Sequence, residues 1–169
     1  NDFNTYFQQS SLNQQYSLNF NGGGKELNYV GSVGWDDNES NTVGNSNDRL
    51  TIRNQVNLKP ITKLNMSAGF IYTQQNSVQN GFAGFNSLRP SGGRSNYYPY
   101  VDLVDEQGNA LAVERNYRKN YTDTAGGGRL LDWSYRPYDE IRNGDNSRNN
   151  KDFMVNVQAD YQVFNFLKA

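Results

Sequence analysis

Along five stretches of the chain apolar side chains fall on every second position. The rows are Tyr16, Leu18 and Phe20; Leu27, Tyr29, Gly31, Val33 and Trp35; Leu50, Ile52, Asn54, Val56 and Leu58; Leu64, Met66, Ala68, Phe70 and Tyr72; and Phe153, Val155, Val157, Ala159 and Tyr161. A period of two belongs to a β-strand, whose successive side chains point to opposite faces. The positions between hold Asn, Ser, Gln, Thr and Gly, with an occasional charge such as Arg53 or Asp160. None of the row positions is charged although 20% of the chain is, so about four or five charges would be expected there by chance. Apolar outside and polar inside is the dyad of a transmembrane β-barrel.

A soluble β-sandwich also alternates, and the connections separate the two. Asn21–Lys25 is a tight glycine turn and Lys59–Lys63, with Pro60, a second short connection. Asp36 to Asp48 reads as a medium polar loop, and roughly 74–151 as a very long insertion. Short and long connections thus alternate, as do the periplasmic turns and extracellular loops of outer-membrane barrels. A weak internal repeat relates Arg53–Leu64 to Val155–Leu167, each a strand, a short turn and a Leu opening the next strand. Five strands cannot close a barrel, since the smallest have about eight. The fold expected is therefore all-β, an antiparallel transmembrane barrel segment of about five strands with one long extracellular loop, cut from a larger chain. A cleaved signal or an internal position would account for a first residue that is not Met.

Within the insertion, Tyr100–Val104 and Ala110–Val113 flank Asp105–Asn109 and predict a hairpin with Gly108 left-handed. Ala125–Gly128 breaks the chain, Leu130–Tyr135 reads as a short helix or turn, and Asn143–Asn150 as mobile.

Composition changes the picture in three places. No run approaches the ~20 apolar residues of a spanning helix, a need that a barrel escapes. Twelve Tyr, nine Phe and two Trp suit the aromatic girdles of barrels. The absence of Cys and His removes thiolate chemistry, the commonest general base and the commonest metal ligands. A net charge of −1 without a basic patch gives no reason to expect nucleic acid.

The order of elements resembles the SusC/RagA family of TonB-dependent outer-membrane transporters. Leu18-Asn19-Phe20-Asn21-Gly22-Gly23 followed by Leu27–Trp35 is similar to that family's opening hairpin. Arg49–Arg53 with Leu64–Ala68 is similar to its next strand pair. Tyr98-Pro99-Tyr100 with Asp105–Asn109, and Leu131-Asp132-Trp133 with Arg136-Pro137, resemble its long extracellular loop. The resemblance covers nearly the whole chain. It implies an approximately 22-stranded plugged barrel, import of oligosaccharides or peptides, energy from TonB through an amino-terminal region not in this chain, and a SusD-like lipoprotein over the outer mouth. It implies no enzyme activity and no cofactor. The alternative is a soluble or surface-attached β-rich module that binds carbohydrate or peptide through the aromatic loop.

Candidate binding residues concentrate in the insertion: Tyr97, Tyr98, Tyr100, Trp133, Tyr135 and Tyr138, whose rings stack on sugars or peptide side chains, and Arg89 and Arg94, which pair with carboxylates. Trp35 and Tyr72 end their rows and read as interfacial girdle residues. Asp36-Asp37-Asn38-Glu39 lacks EF-hand spacing, and the Gly-rich turns lack the Lys-Ser/Thr of a P-loop. Asp102, Asp105, Asp139 and Glu140 carry no spacing that would make a glycosidase pair.

Overall fold

The computed structural model describes residues 1–90, 96–164 and 167–168. The chain is all-β: five long antiparallel strands and a two-residue sixth form one sheet in sequence order. The strands are β1 (Leu12–Gly23), β2 (Leu27–Glu39), β3 (Asn45–Ile61), β4 (Leu64–Gln79), β5 (Ser147–Phe164) and β6 (Leu167–Lys168), with β1 and β6 as its edges. Short helices lie outside the sheet: α1 (Asp2–Tyr6), α2 (Lys119–Thr124) and α3 (Pro137–Asn143).

The strands outrun their apolar rows, which corrects three expectations. The polar loop between β2 and β3 shrinks to 40–44, and the long connection runs 80–146. Asn143–Asn150 is the end of α3 and the start of β5. Of the two readings of Leu130–Tyr135 the turn holds: the Ser134 N–H donates to Asp132, Tyr135 bridges Val113, and the helices lie on either side of this stretch. Polar residues continue a strand as well as apolar ones when the ladder supplies their backbone bonds, and no apolar period marks them.

The chain divides into two compact units. The first comprises 1–12, 39–46 and 78–147 and holds the core: Phe3, Phe7, Leu88, Leu103, Val104 and Ile141, surrounded by Tyr6, Val43, Phe82, Phe85, Tyr97, Val101, Val113 and Tyr138. Asn1 caps α1 by accepting the Phe3 N–H at 3.0 Å. The i,i+4 spacing stacks Phe3 on Phe7 at 5.1 Å. Asp2 fixes the helix to the long connection by accepting the Leu103 and Val104 N–H groups at 2.9 and 3.3 Å.

The second unit comprises 13–38, 47–77 and 148–169, and its described residues form strands and the short turns between them. Cross-strand contacts fix its register. Asn57 donates to Asn28 at 2.8 Å, Arg49 pairs with Asp36 at 2.6 Å, and the Lys59 N–H donates to the Glu26 carbonyl at 2.6 Å. Those three pairs set Trp35 opposite Leu50, Val33 opposite Ile52 and Tyr29 opposite Val56. Between β4 and β5, Asn149 donates to Asn76, and the Gln162 N–H donates to the Lys63 carbonyl at 2.8 Å. Leu64 therefore faces Tyr161, Phe70 faces Val155 and Tyr72 faces Phe153. All five rows lie on one face. Four of them are nine residues from first to last, which is about 26 Å at the usual rise per residue.

Candidate functional site

Two features of the structure carry chemistry, one in each unit. In the sheet unit it is the contrast between faces. Among the described residues of this unit only Gly31 and Gly69 are buried, and neither brings a side chain to a core. The row residues of β1 and β5 stand exposed, with Leu18 66%, Phe153 67% and Val157 73% accessible, while those of β3, such as Ile52 and Val56, are half-buried between neighbouring strands. The row ends where Asn76 donates to Asp48 at 2.7 Å and Asn149 donates to Asn76, a polar chain across three strands just beyond Leu50, Tyr72 and Phe153. The opposite face is mostly amide, hydroxyl and charge, with Val30, Ile71 and Met154 among them. Asn13, Gln15, Asp36, Asn38, Asn47, Arg49 and Gln75 surround a recess of about 560 Å³ there. Asp36 and Asp37 alternate between the faces, which is why 36–39 does not converge on a cation. Among the described residues no three His, Cys, Asp or Glu side chains are grouped to hold a metal ion.

In the first unit the chain builds a recess from a side excursion. Asp105 accepts the Gln107 and Asn109 N–H groups at 3.0 and 2.7 Å, and Gly108 takes φ +85°, so the expected hairpin forms with Val104 bridging Ala110. The Asn109 side-chain amide, followed by these N–H groups, holds the Asp105 carboxyl below its usual range. The strand-like segment continues to Val113, whose N–H donates to the Tyr135 carbonyl at 2.8 Å. Residues 114–134 are thus an excursion with neighbouring ends. Within it, α2 runs out and Gly126, Gly127 and Gly128, all at positive φ, turn the chain back. The return brings Trp133 onto Tyr117 and Tyr121 at 5.1 and 5.9 Å between ring centres, while the two tyrosines lie 5.3 Å apart. The Trp133 indole N–H points at the Thr122 carbonyl at 3.4 Å.

Beside these rings is an open recess of about 370 Å³, lined by Tyr117 and Trp133 with Val113, Glu114, Arg115, Asn116, Lys119, Thr122, Ser134, Tyr135 and Glu140. The Arg115 guanidinium lies 4.4 Å above the Tyr135 ring. Burial, opposed by Arg115, raises the Tyr135 phenol, which stays protonated at neutral pH. Asp132 braces the turn that presents Trp133: it accepts the Ser134 N–H at 2.9 Å and pairs with Arg136 at 2.7 Å. The Ser134 bonds, then Arg136, bring its carboxyl down to about 2.

The structure separates the aromatic residues expected to act together. Trp133 and Tyr135 line the recess. Tyr138 packs on Tyr6 and Phe7 at 5.6 and 5.9 Å, and Tyr97 borders the core with its hydroxyl donating to the Glu114 carbonyl at 2.6 Å. Tyr98 and Tyr100 are 84% and 86% exposed, Tyr98 beside a second recess with Tyr97, Val101 and Asp102. Arg89 donates to the Asn86 carbonyl at 2.6 Å, and Arg94 lies outside the described residues. Tyr117 and Tyr121 escaped the sequence reading: Tyr117 lies in a bend before α2 and Tyr121 within it, so no single local period joins them.

No family model matches this chain, and no curated protein does.

Proposed function

We propose that this chain is a segment of the wall and external loops of a SusC-like, TonB-dependent transporter in the outer membrane of a Gram-negative bacterium. The observation that carries the reading is a sheet with no core, whose uncharged apolar face is about as tall as the ~25 Å lipid-facing band of outer-membrane barrels and stops at a hydrogen-bonded polar chain. Water makes exposure of so many apolar side chains on one face costly, at about 25 cal/mol per Å², whereas lipid does not. The amide-rich face suits a water-filled lumen, and open strand edges call for further strands, since unpaired backbone groups are not tolerated in hydrocarbon. The order of short and long connections and the family resemblance support the rest of the assignment: an approximately 22-stranded plugged barrel, import of oligosaccharides or peptides, TonB engaged through the amino-terminal region, and a SusD-like lipoprotein at the extracellular mouth. In this reading no residue of the chain performs bond chemistry. The strands hold shape and exclude lipid, and the connection 80–146 meets cargo or the lid protein.

The test is solvent dependence. The chain should keep its β circular dichroism in detergent micelles and precipitate in plain buffer. A monodisperse, folded species without detergent overturns the assignment in favour of a soluble binding module.

A further inference from the structure

We propose that the Tyr117–Tyr121–Trp133 platform and the recess beside it form a subsite for a neutral saccharide, with one pyranose ring stacked on the aromatic surface. The inference deepens the transporter reading and rests on it for the role of the saccharide as cargo.

The geometry selects the ligand class. Ring centres at 5.1 to 5.9 Å with planes tilted 37–51° are in direct mutual contact, a faceted apolar surface with no gap for a cation, of which Tyr117 and Trp133 face the recess and Tyr121 backs them. A quaternary ammonium or lysine cage needs that gap. Arg115 and Lys119 at the rim oppose a cation further, while Glu114 and Glu140 oppose an anion, and the two pairs balance. An apolar peptide side chain needs an enclosed pocket, and this recess is open, with much of its lining polar. What remains is a ligand with one flat C–H face and an edge of hydroxyls. The rings offer the face, and Glu140, Ser134 and the Arg115 guanidinium offer donors and acceptors around it. The volume of about 370 Å³ lies at the small end of ligand sites, which fits one or two sugar rings rather than a whole chain. Half-exposure is consistent with a platform waiting for a ligand: Tyr117 is 49%, Tyr121 53% and Trp133 42% accessible.

The experiment uses the full chain carrying Trp35→Phe, so that Trp133 is the sole indole, in the sugar-free detergent lauryldimethylamine oxide. Maltohexaose, xylohexaose and mannohexaose are titrated separately, with hexaalanine as the peptide comparison. At least one saccharide should give a saturable change in Trp133 fluorescence. Tyr117→Ala should weaken that affinity about tenfold or more, Tyr117→Phe should keep it within about threefold, and Tyr98→Ala should leave it unchanged. Far-ultraviolet circular dichroism establishes that each variant is folded. Saturation by hexaalanine alone, no saturable response to any of the three saccharides, or affinity unmoved by Tyr117→Ala overturns the proposal. Insertion into phosphatidylcholine vesicles, measured on the same protein, keeps the two readings apart. A chain that inserts and ignores saccharides refutes the subsite alone; one that binds them but stays folded and soluble without detergent keeps the subsite and refutes the transporter.

Discussion

Phe20 of β1 lies across Gly31 of β2, its ring filling the space that a side chain at position 31 would occupy. Both belong to the apolar face, and Asn54 stands beside Gly31 on β3. The glycine therefore interrupts the row in sequence but not in space. Gly31→Val should displace the ring and destabilise the sheet by about 1–3 kcal/mol. In a Phe20→Ala background most of that penalty should vanish, as a double-mutant cycle from urea unfolding in micelles would show. Equal penalties in both backgrounds would mean that the two residues do not compete for one volume.

The two faces should respond oppositely to charge. Arg at Val56 or Val157 should hinder folding into vesicles by roughly 2–4 kcal/mol, the cost of a cation at mid-bilayer. Arg at Gln55, one residue away on the amide face, should cost far less. Gln55 is the better comparison than Asn57, which donates to Asn28, or Asn156, which lies against Gly69. Indistinguishable penalties at 55 and 56 would reject the assignment of the faces.

The sheet was legible because its two faces differ, apolar against polar, with a strict period of two, and each row could be read without its neighbours. Even Asn54 and Gly31, the weak members of their rows, kept the register. The first unit was not legible in this way. Its core joins Phe3 and Phe7 to Leu88, Leu103 and Ile141, residues from distant segments with no local period to announce them. The aromatics there were visible as composition, yet sequence has no means of telling Tyr138, packed on Phe7, from Trp133, exposed beside a recess. Tyr117 and Tyr121 were overlooked because one precedes α2 and the other sits within its six residues, too short a helix for amphipathic periodicity.

The topology yields a clean labelling prediction, since the chain has no Cys of its own. Gly24 has open space around it and lies in the β1–β2 turn; Glu106 is exposed in the Asp105–Asn109 turn. Glu106→Cys should react with a membrane-impermeant maleimide on intact cells producing the full transporter. Gly24→Cys should react only after the outer membrane is permeabilised. The reverse pattern would invert the orientation.

Acid should loosen the turn that carries Trp133. The Asp132 carboxyl is lowered from 3.8 to about 2 in the folded chain, so its bonds to Ser134 and Arg136 contribute fully above pH ~4 and are lost as pH falls through about 2. In the Trp35→Phe protein, Trp133 fluorescence should change with a midpoint near 2 and stay flat between pH 4 and 7. Asp132→Asn should abolish that transition. A midpoint at the ordinary carboxylate value would show that the brace is absent.

The excursion 114–134 should be removable without unfolding what surrounds it. Deleting all of Tyr97–Asp139 would take Leu103 and Val104 out of the core, remove Tyr138 from Phe7 and remove the two N–H groups that Asp2 accepts, so it is a poor test of binding. The Val113–Tyr135 bridge offers a better boundary, because it holds the two ends of the excursion side by side. Replacing 115–133 with Asn-Gly closes the gap with a tight hairpin turn and spares every buried member of the core. The shortened protein should insert into vesicles and unfold in urea like its parent. It should also lose the saccharide-dependent signal, followed now by calorimetry because Trp133 is gone, and in the full transporter it should lose uptake of whichever saccharide binds. Retained uptake in a correctly inserted barrel would show that this part of the connection serves another purpose, whereas failure to insert would show that the excursion helps to fold the unit that holds it.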